Sequence, residues 1–134
     1  MISYLLDANV VIALVVREHV HHDDAHTWLR GVARAAVTPV VEGELVRYLV
    51  RIGVGAASVA ALLGAVRANH RIEFWPDDIS YADVDLAHVV GHRQVTDAYL
   101  AASAERHGAL LATFDRALAD ARPNQTLLIP TSRP

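Results

Sequence analysis

Ile2-Ser3-Tyr4-Leu5-Leu6-Asp7-Ala8-Asn9 is a short, mostly apolar run that ends on an aspartate, and a second apolar run, Val10 to Val16, follows it directly. A run of this length reads as a buried strand feeding a helix. Asp7 then sits at the strand's carboxyl end, which is where open α/β sheets bind their ligands. Asp is also a preferred helix N-cap, so Asp7 alone has a purely local explanation. What lifts it above a cap is the recurrence of carboxylates at other strand ends.

Outward from this stretch, strands and helices alternate. The helix after the first strand runs from Asn9 to about Arg17. A polar break, Glu18 to Asp24, opens a second helix whose Ala25, Trp28, Leu29, Val32 and Ala33 share one face. Ala35 to Thr38 is a short strand. Thr38-Pro39 is a cap followed by proline, so a helix runs from Pro39 to about Ile52. Gly53-Val54-Gly55 breaks it, and Ser58 to Asn69 forms the next helix. Ile72 to Trp75 is a strand stopped by Pro76. Ser80 caps a short helix from Tyr81 to about Val90, and Thr96 caps one from Asp97 to His107 with Gly108 after it. Ala109 to Ala112 is a strand, Arg116 to Ala121 a short helix, and Leu127 to Ile129 the last strand. This alternation predicts one α/β domain over residues 1–134, with a mainly parallel sheet between helical layers.

The totals narrow the function. The 134 residues are 53% hydrophobic, enough for a single buried core. No apolar run approaches the ~18 residues of a membrane span, and no basic region precedes the first one, so no membrane or secretory role is expected. Cysteine is absent, which fits a cytoplasmic protein and excludes thiolate metal sites. The net charge of −3 advertises no global field for nucleic acid. All 12 basic residues are arginine. Without lysine, P-loop NTPases, Schiff-base enzymes and Ser-Lys hydrolases are excluded, and dehalogenase-type phosphatases and response-regulator receivers are disfavoured.

Asp7 follows the first strand, Asp115 follows the fourth by two residues, Asp97 opens the helix before the fourth, and Glu42 lies early in the helix after the second. Clustered carboxylates raise one another's pKa unless a cation neutralises them. Oxygen-only donors suit Mg²⁺ or Mn²⁺, which support phosphodiester hydrolysis. Glu44 competes with Glu42 for the helix position. Successive helical residues are ~100° apart, so the two cannot both enter one site. Glu42 projects toward Leu45, Val46 and Leu49, and Glu44 toward Arg51 and Arg47, which favours Glu42 and leaves Glu44 as the alternative. Arg93 and Arg116, near Asp97 and Asp115 in sequence, are phosphate-contact candidates. His22 and His26 have zinc-like i, i+4 spacing but no evident third ligand. Phe74-Trp75-Pro76 reads as packing.

Leu5-Leu6-Asp7-Ala8-Asn9-Val10, Thr38-Pro39 with Glu42 and Arg47, Phe74-Trp75-Pro76-Asp77-Asp78, Val95-Thr96-Asp97-Ala98-Tyr99-Leu100 and Thr113-Phe114-Asp115 occur in that order. Together they resemble a PIN-domain ribonuclease, specifically a VapC-type toxin of a bacterial toxin–antitoxin pair. The resemblance spans Ile2 to about Ile129. It implies an α/β/α sandwich with strand order 3-2-1-4-5 and a Mg²⁺-dependent endoribonuclease (Mn²⁺ may substitute). It also implies a homodimer, through the helices Pro39–Ile52 and Ser58–Asn69, that is inhibited by a cognate VapB-like antitoxin. The carried-over acids are Asp7, Glu42, Asp97 and Asp115, with Asn9, Thr96 and Thr113 as supporting polar residues. Val41 stands where the family usually has a polar residue before the helix glutamate. The competing function is a PIN-like domain that binds RNA or a partner without cutting.

Overall fold

The computed structural model describes residues 2–132. Five strands form one sheet: β1 (Ser3–Leu6), β2 (Arg34–Val37), β3 (Ile72–Phe74), β4 (Leu110–Thr113) and β5 (Thr126–Leu128). Their order is β3-β2-β1-β4-β5, and every neighbouring pair is parallel. The helices are α1 (Ala8–Val15), α2 (His22–Arg30), α3 (Pro39–Arg51), α4 (Ala56–Ala68), α5 (Gln94–Arg106) and α6 (Arg116–Ala121). The chain moves from β1 out to β3, then crosses back to β4 and β5. Parallel crossovers are right-handed, so the two directions place their helices on opposite faces. The result is the expected three-layer sandwich.

β1 is the central strand, and its Leu5 and Leu6 are fully buried. Leu5 pairs with Ala36 on one side and Leu111 on the other. Small alanines at Ala35, Ala36 and Ala112 let the helices approach the sheet closely; all three are fully buried. On α3 the core stripe is Val41, Leu45 and Leu49, four residues apart. With β1 and β4 adjacent and parallel, Asp7 and the Thr113–Asp115 turn leave the sheet along one edge.

Two expected features differ. The segment after Ser80 makes only a 3₁₀ turn, Tyr81–Asp83, where a helix to Val90 was expected. Of its apolar residues Val84 is buried, but Leu86 is 47% exposed and Val90 94%, so the segment has no continuous buried face to hold a longer helix. α5 begins at Gln94, so Thr96 lies inside the first turn and is not the cap. Gln94 Oε1 instead accepts from Val90 N and Gly91 N, at 2.6 and 3.1 Å, which organises the turn into the helix. α2 ends at Arg30, so Val32 and Ala33, expected on its face, lie beyond it; the other boundaries lie within one or two residues of expectation.

Thr38 occupies the N-cap of α3 and Pro39 its first turn, as expected, but the hydroxyl caps nothing. The orphan N–H of Val40 donates to Asp77 Oδ2 at 3.0 Å. Asp77 lies just beyond β3, so α3 is capped by a residue brought in by the sheet.

Candidate active site

Asp7 is buried, at 6% exposure. It is the N-cap of α1, but its Oδ1 accepts from Ala8 N at 2.8 Å, where ordinary caps reach the second or third helical N–H. Its Oδ2 accepts from the Thr113 hydroxyl at 2.6 Å. Thr113 is itself fully buried at the end of β4, and its Oγ1 also accepts from Asn9 Nδ2 (3.2 Å) and Asp115 N (3.0 Å). One donor and two acceptors exhaust what a hydroxyl offers, which fixes its proton toward Asp7. Asn9 Oδ1 accepts from Phe114 N at 3.2 Å. Three residues expected at the site, Asp7, Asn9 and Thr113, thus form one network that ties β1 to β4. Asp115 caps α6 in the ordinary way, Oδ1 accepting from Leu118 N at 3.1 Å.

The carboxylates feel one another. Asp7 is pushed up from 3.8 to about 6 by burial, opposed by the hydrogen bonds from Thr113 and Ala8, and assisted by the charges of Glu44 and Asp115. Asp97, half-buried in the first turn of α5, is also pushed up to about 6, by burial and by Asp7 and Asp115, with Arg122 pulling the other way. Glu44 is raised by burial and by Asp97, against Arg47. Asp7, Glu44, Asp97 and Asp115 therefore share one electrostatic site.

On α3 the acid whose charge acts on Asp7, and which feels Asp97, is Glu44; Glu42 was the one expected. The core stripe Val41–Leu45–Leu49 has two flanks. Val46, one turn after Glu42, packs on the main core. Val40, one turn before Glu44, packs both on the main core and on the small cluster of Val84, Ala98 and Tyr99, and two of the latter residues belong to α5. The i, i+4 relation places Glu44 on the Val40 flank, facing the helix that carries Asp97. The apolar moment of α3 alone could not reveal this, because it does not register that α5 covers one flank.

Thr96 is half-buried and makes no side-chain hydrogen bond among the described residues. Arg93 is exposed and lines a cavity of about 190 Å³ together with Asp97 and Asp115. Arg116, the first residue of α6, is exposed and outside that lining. Arg122, which the sequence reading did not single out, is in it. It is buried (6% exposed), and its guanidinium donates to the Asp85 carbonyl and to Gln125 Oε1. The His21 ring stacks on Phe114, centroids 4.6 Å apart, next to Asp115. The His22 and His26 rings bond the carbonyls of Ala13 (2.7 Å) and Leu14 (2.8 Å), closing the carboxyl end of α1.

Among the described residues no three acidic or histidine side chains stand close enough together to hold a metal ion as they are placed. The donor set nonetheless suits a hard cation. It is all oxygen, neighbouring acid charges help raise Asp7, Glu44 and Asp97, and among the described residues no arginine lies within ion-pair distance of any of the four. Glu44 and Asp97 carry no side-chain hydrogen bond among the described residues, so their carboxylates are uncommitted, whereas Asp7 is held from two sides.

A PIN domain family model matches residues 4–122. A Mycobacterium tuberculosis protein named ribonuclease VapC29 is 53% identical over 131 residues, covering 97% of this chain and 98% of its own. Ribonuclease VapC39 of the same organism is 40% identical over 128 residues, covering 87% and 91%. Among solved structures, M. tuberculosis VapC20, titled a sarcin–ricin-loop-cleaving toxin, superposes with a TM-score of 0.71 at 17% identity, covering 96% of this chain and 99% of that one. VapBC2 from Rickettsia felis, bound to a promoter DNA fragment, gives 0.69 at 18% identity, covering 94% and 97%. At these identities the two structures speak for the fold.

Proposed function

The chain belongs to the PIN-domain family, in its VapC branch, and on that premise we propose that it is a divalent-metal-dependent endoribonuclease acting as the toxin of a toxin–antitoxin pair. The observation that carries the reading is a group of acids at one edge of the sheet: burial pushes Asp7 and Asp97 up to about 6, with the charges of Glu44 and Asp115 adding to Asp7 and those of Asp7 and Asp115 adding to Asp97. Such an arrangement costs stability at neutral pH, and a hard cation removes the cost. Asp7, Glu44, Asp97 and Asp115 would hold Mg²⁺ or Mn²⁺. When bound, the ion supplies an activated water and offsets charge on the phosphate oxygens.

The chain's own residues set the geometry. Thr113 and the Ala8 N–H hold Asp7 rigidly, and Asn9 holds Thr113 and the Phe114 backbone. Hydrolysis adds water to phosphorus and releases the 3′ oxygen with a proton, leaving a 5′ phosphate. RNA is the substrate, as the relatives' names suggest for them. The inhibitor is a VapB-like antitoxin whose C-terminal segment presents an arginine to the acids, since a guanidinium satisfies carboxylates as a metal does. The working form is a homodimer.

The test is purified protein with RNA, with and without Mg²⁺ and EDTA. Cleavage that needs the metal and disappears in Asp7→Asn supports the reading. Full activity in EDTA, or in that variant, overturns it.

A further inference from the structure

Arg122 is unusual among the arginines. It is buried at the C-cap of α6, and among the described residues no carboxylate oxygen lies within ion-pair distance of it. Its two hydrogen bonds, to the Asp85 carbonyl at 3.2 Å and Gln125 Oε1 at 3.3 Å, are both to neutral acceptors. They leave the remaining guanidinium N–H groups unused. Burying a cation is costly; Asp97 feels the charge of Arg122 but makes no ion pair with it, and a guanidinium held in this way beside a cavity is placed to take an anion there. The cavity, about 190 Å³, lies between the first turn of α5 and α6. Arg122 and Gln94 line it, exposed Arg93 lines it from the solvent side, and Leu118 supplies an apolar wall. Asp97 and Asp115 form the side shared with the acid cluster.

We infer that the α5–α6 cavity is a phosphate subsite for the RNA strand. Arg122 and Arg93 hold a phosphodiester next to the one positioned at the carboxylates. This rests on the nuclease reading above and adds where the neighbouring nucleotide sits. Two cations in the cavity balance its two acids, so the strand's charge meets arginine at one end and the acid cluster at the other. Arginine suits the task because its planar fork can contact two phosphate oxygens at once. The assignment replaces Arg116, which lies outside the cavity lining.

The probe is a fluorescein-labelled pool of random-sequence, single-stranded twelve-nucleotide RNA, titrated into the Asp7→Asn protein at several salt concentrations. Arg93→Ala and Arg122→Gln are each expected to weaken binding about tenfold, the loss of one charge-assisted contact. Each should also flatten the slope of log affinity against log salt by about 0.7, the value for one phosphate on a single strand. Arg122→Lys keeps the charge and should retain the slope while losing part of the affinity. Arg30→Ala, on the far side of the fold, should match the parent. Unchanged affinity and slope in Arg93→Ala and in a folded Arg122→Gln would overturn the inference. If Arg122→Gln does not fold, an unchanged slope in Arg93→Ala does so alone. Absence of RNA binding by the parent also overturns it. Arginine-dependent binding without metal-dependent cleavage by the wild-type chain would leave the subsite standing and remove the nuclease reading.

Discussion

At the residue scale, the site hangs on Asp7 and the hydroxyl that points at it. Asp7's ordinary value is 3.8, and in the fold it is about 6. Between these two pH values the native state holds a proton that the unfolded chain has released, so stability falls as pH rises through that window. The contribution is whole below about 3.8 and gone above about 6. A shift of this size corresponds to about 3 kcal/mol. Asp97 adds the same sign, discounted because half of it meets solvent. The cation-free protein should therefore melt higher at pH 5 than at pH 7.5. The gap should narrow in Asp7→Asn, and thermal melts of both proteins across that range check it. An equal gap in the variant would assign the pH dependence elsewhere. Thr113→Val removes the donor to Asp7 and the acceptor for Asn9 and Asp115 N. It should cost about 1–3 kcal/mol of stability and roughly 10–100-fold in cleavage. Urea unfolding and a single-turnover assay measure the two effects separately.

At the element scale, the informative object is α3. Its core stripe is apolar in either reading, and the two glutamates lie on opposite flanks of it. Val40, on the flank of Glu44, packs against the cluster of Val84, Ala98 and Tyr99, two members of which lie on α5. Glu44→Gln should lower metal-dependent cleavage by roughly 100-fold and shrink the rise in melting temperature on adding Mg²⁺ at pH 7.5, because a ligand that binds only the folded state stabilises it. Glu42→Gln should leave both close to wild type. The reverse pattern would mean that α3 is rotated in solution relative to this structure. Asp77 provides an independent handle on the same helix. Asp77→Ala leaves the Val40 N–H without its cap and should cost about 1 kcal/mol without altering metal response.

At the scale of the whole molecule, the sandwich leaves apolar surface outside its core. Val50 is 60% exposed and Ile52 50%, both at the carboxyl end of α3. Just beyond them, α4 exposes several alanines along its length. Contiguous apolar surface of this kind is a feature of association sites. Light scattering at micromolar concentration should report a dimer, and Val50→Glu with Ile52→Glu should give a folded monomer. A monomeric wild type would separate this surface from self-association.

Local patterns in the chain were sufficient for the alternation of strands and helices and the parallel sheet, because burial periodicity and Gly/Pro punctuation are short-range signals. They also sufficed to place Asp7 and Asp115 near strand ends, since Asp7 directly abuts an apolar run and Asp115 follows one closely. Strand order and the family's acids came through resemblance, in motifs spread over the chain. Tertiary structure alone decided the rest. Whether Glu42 or Glu44 meets Asp97 depends on which helix covers a flank of α3. That Asp77 caps α3 in place of Thr38, and that Arg122 reaches the cavity beside Asp97, depends on segments distant in sequence. The physical reason is common to all three. A residue's own helix or strand sets which direction its side chain takes, and only the packing of other elements determines what stands there.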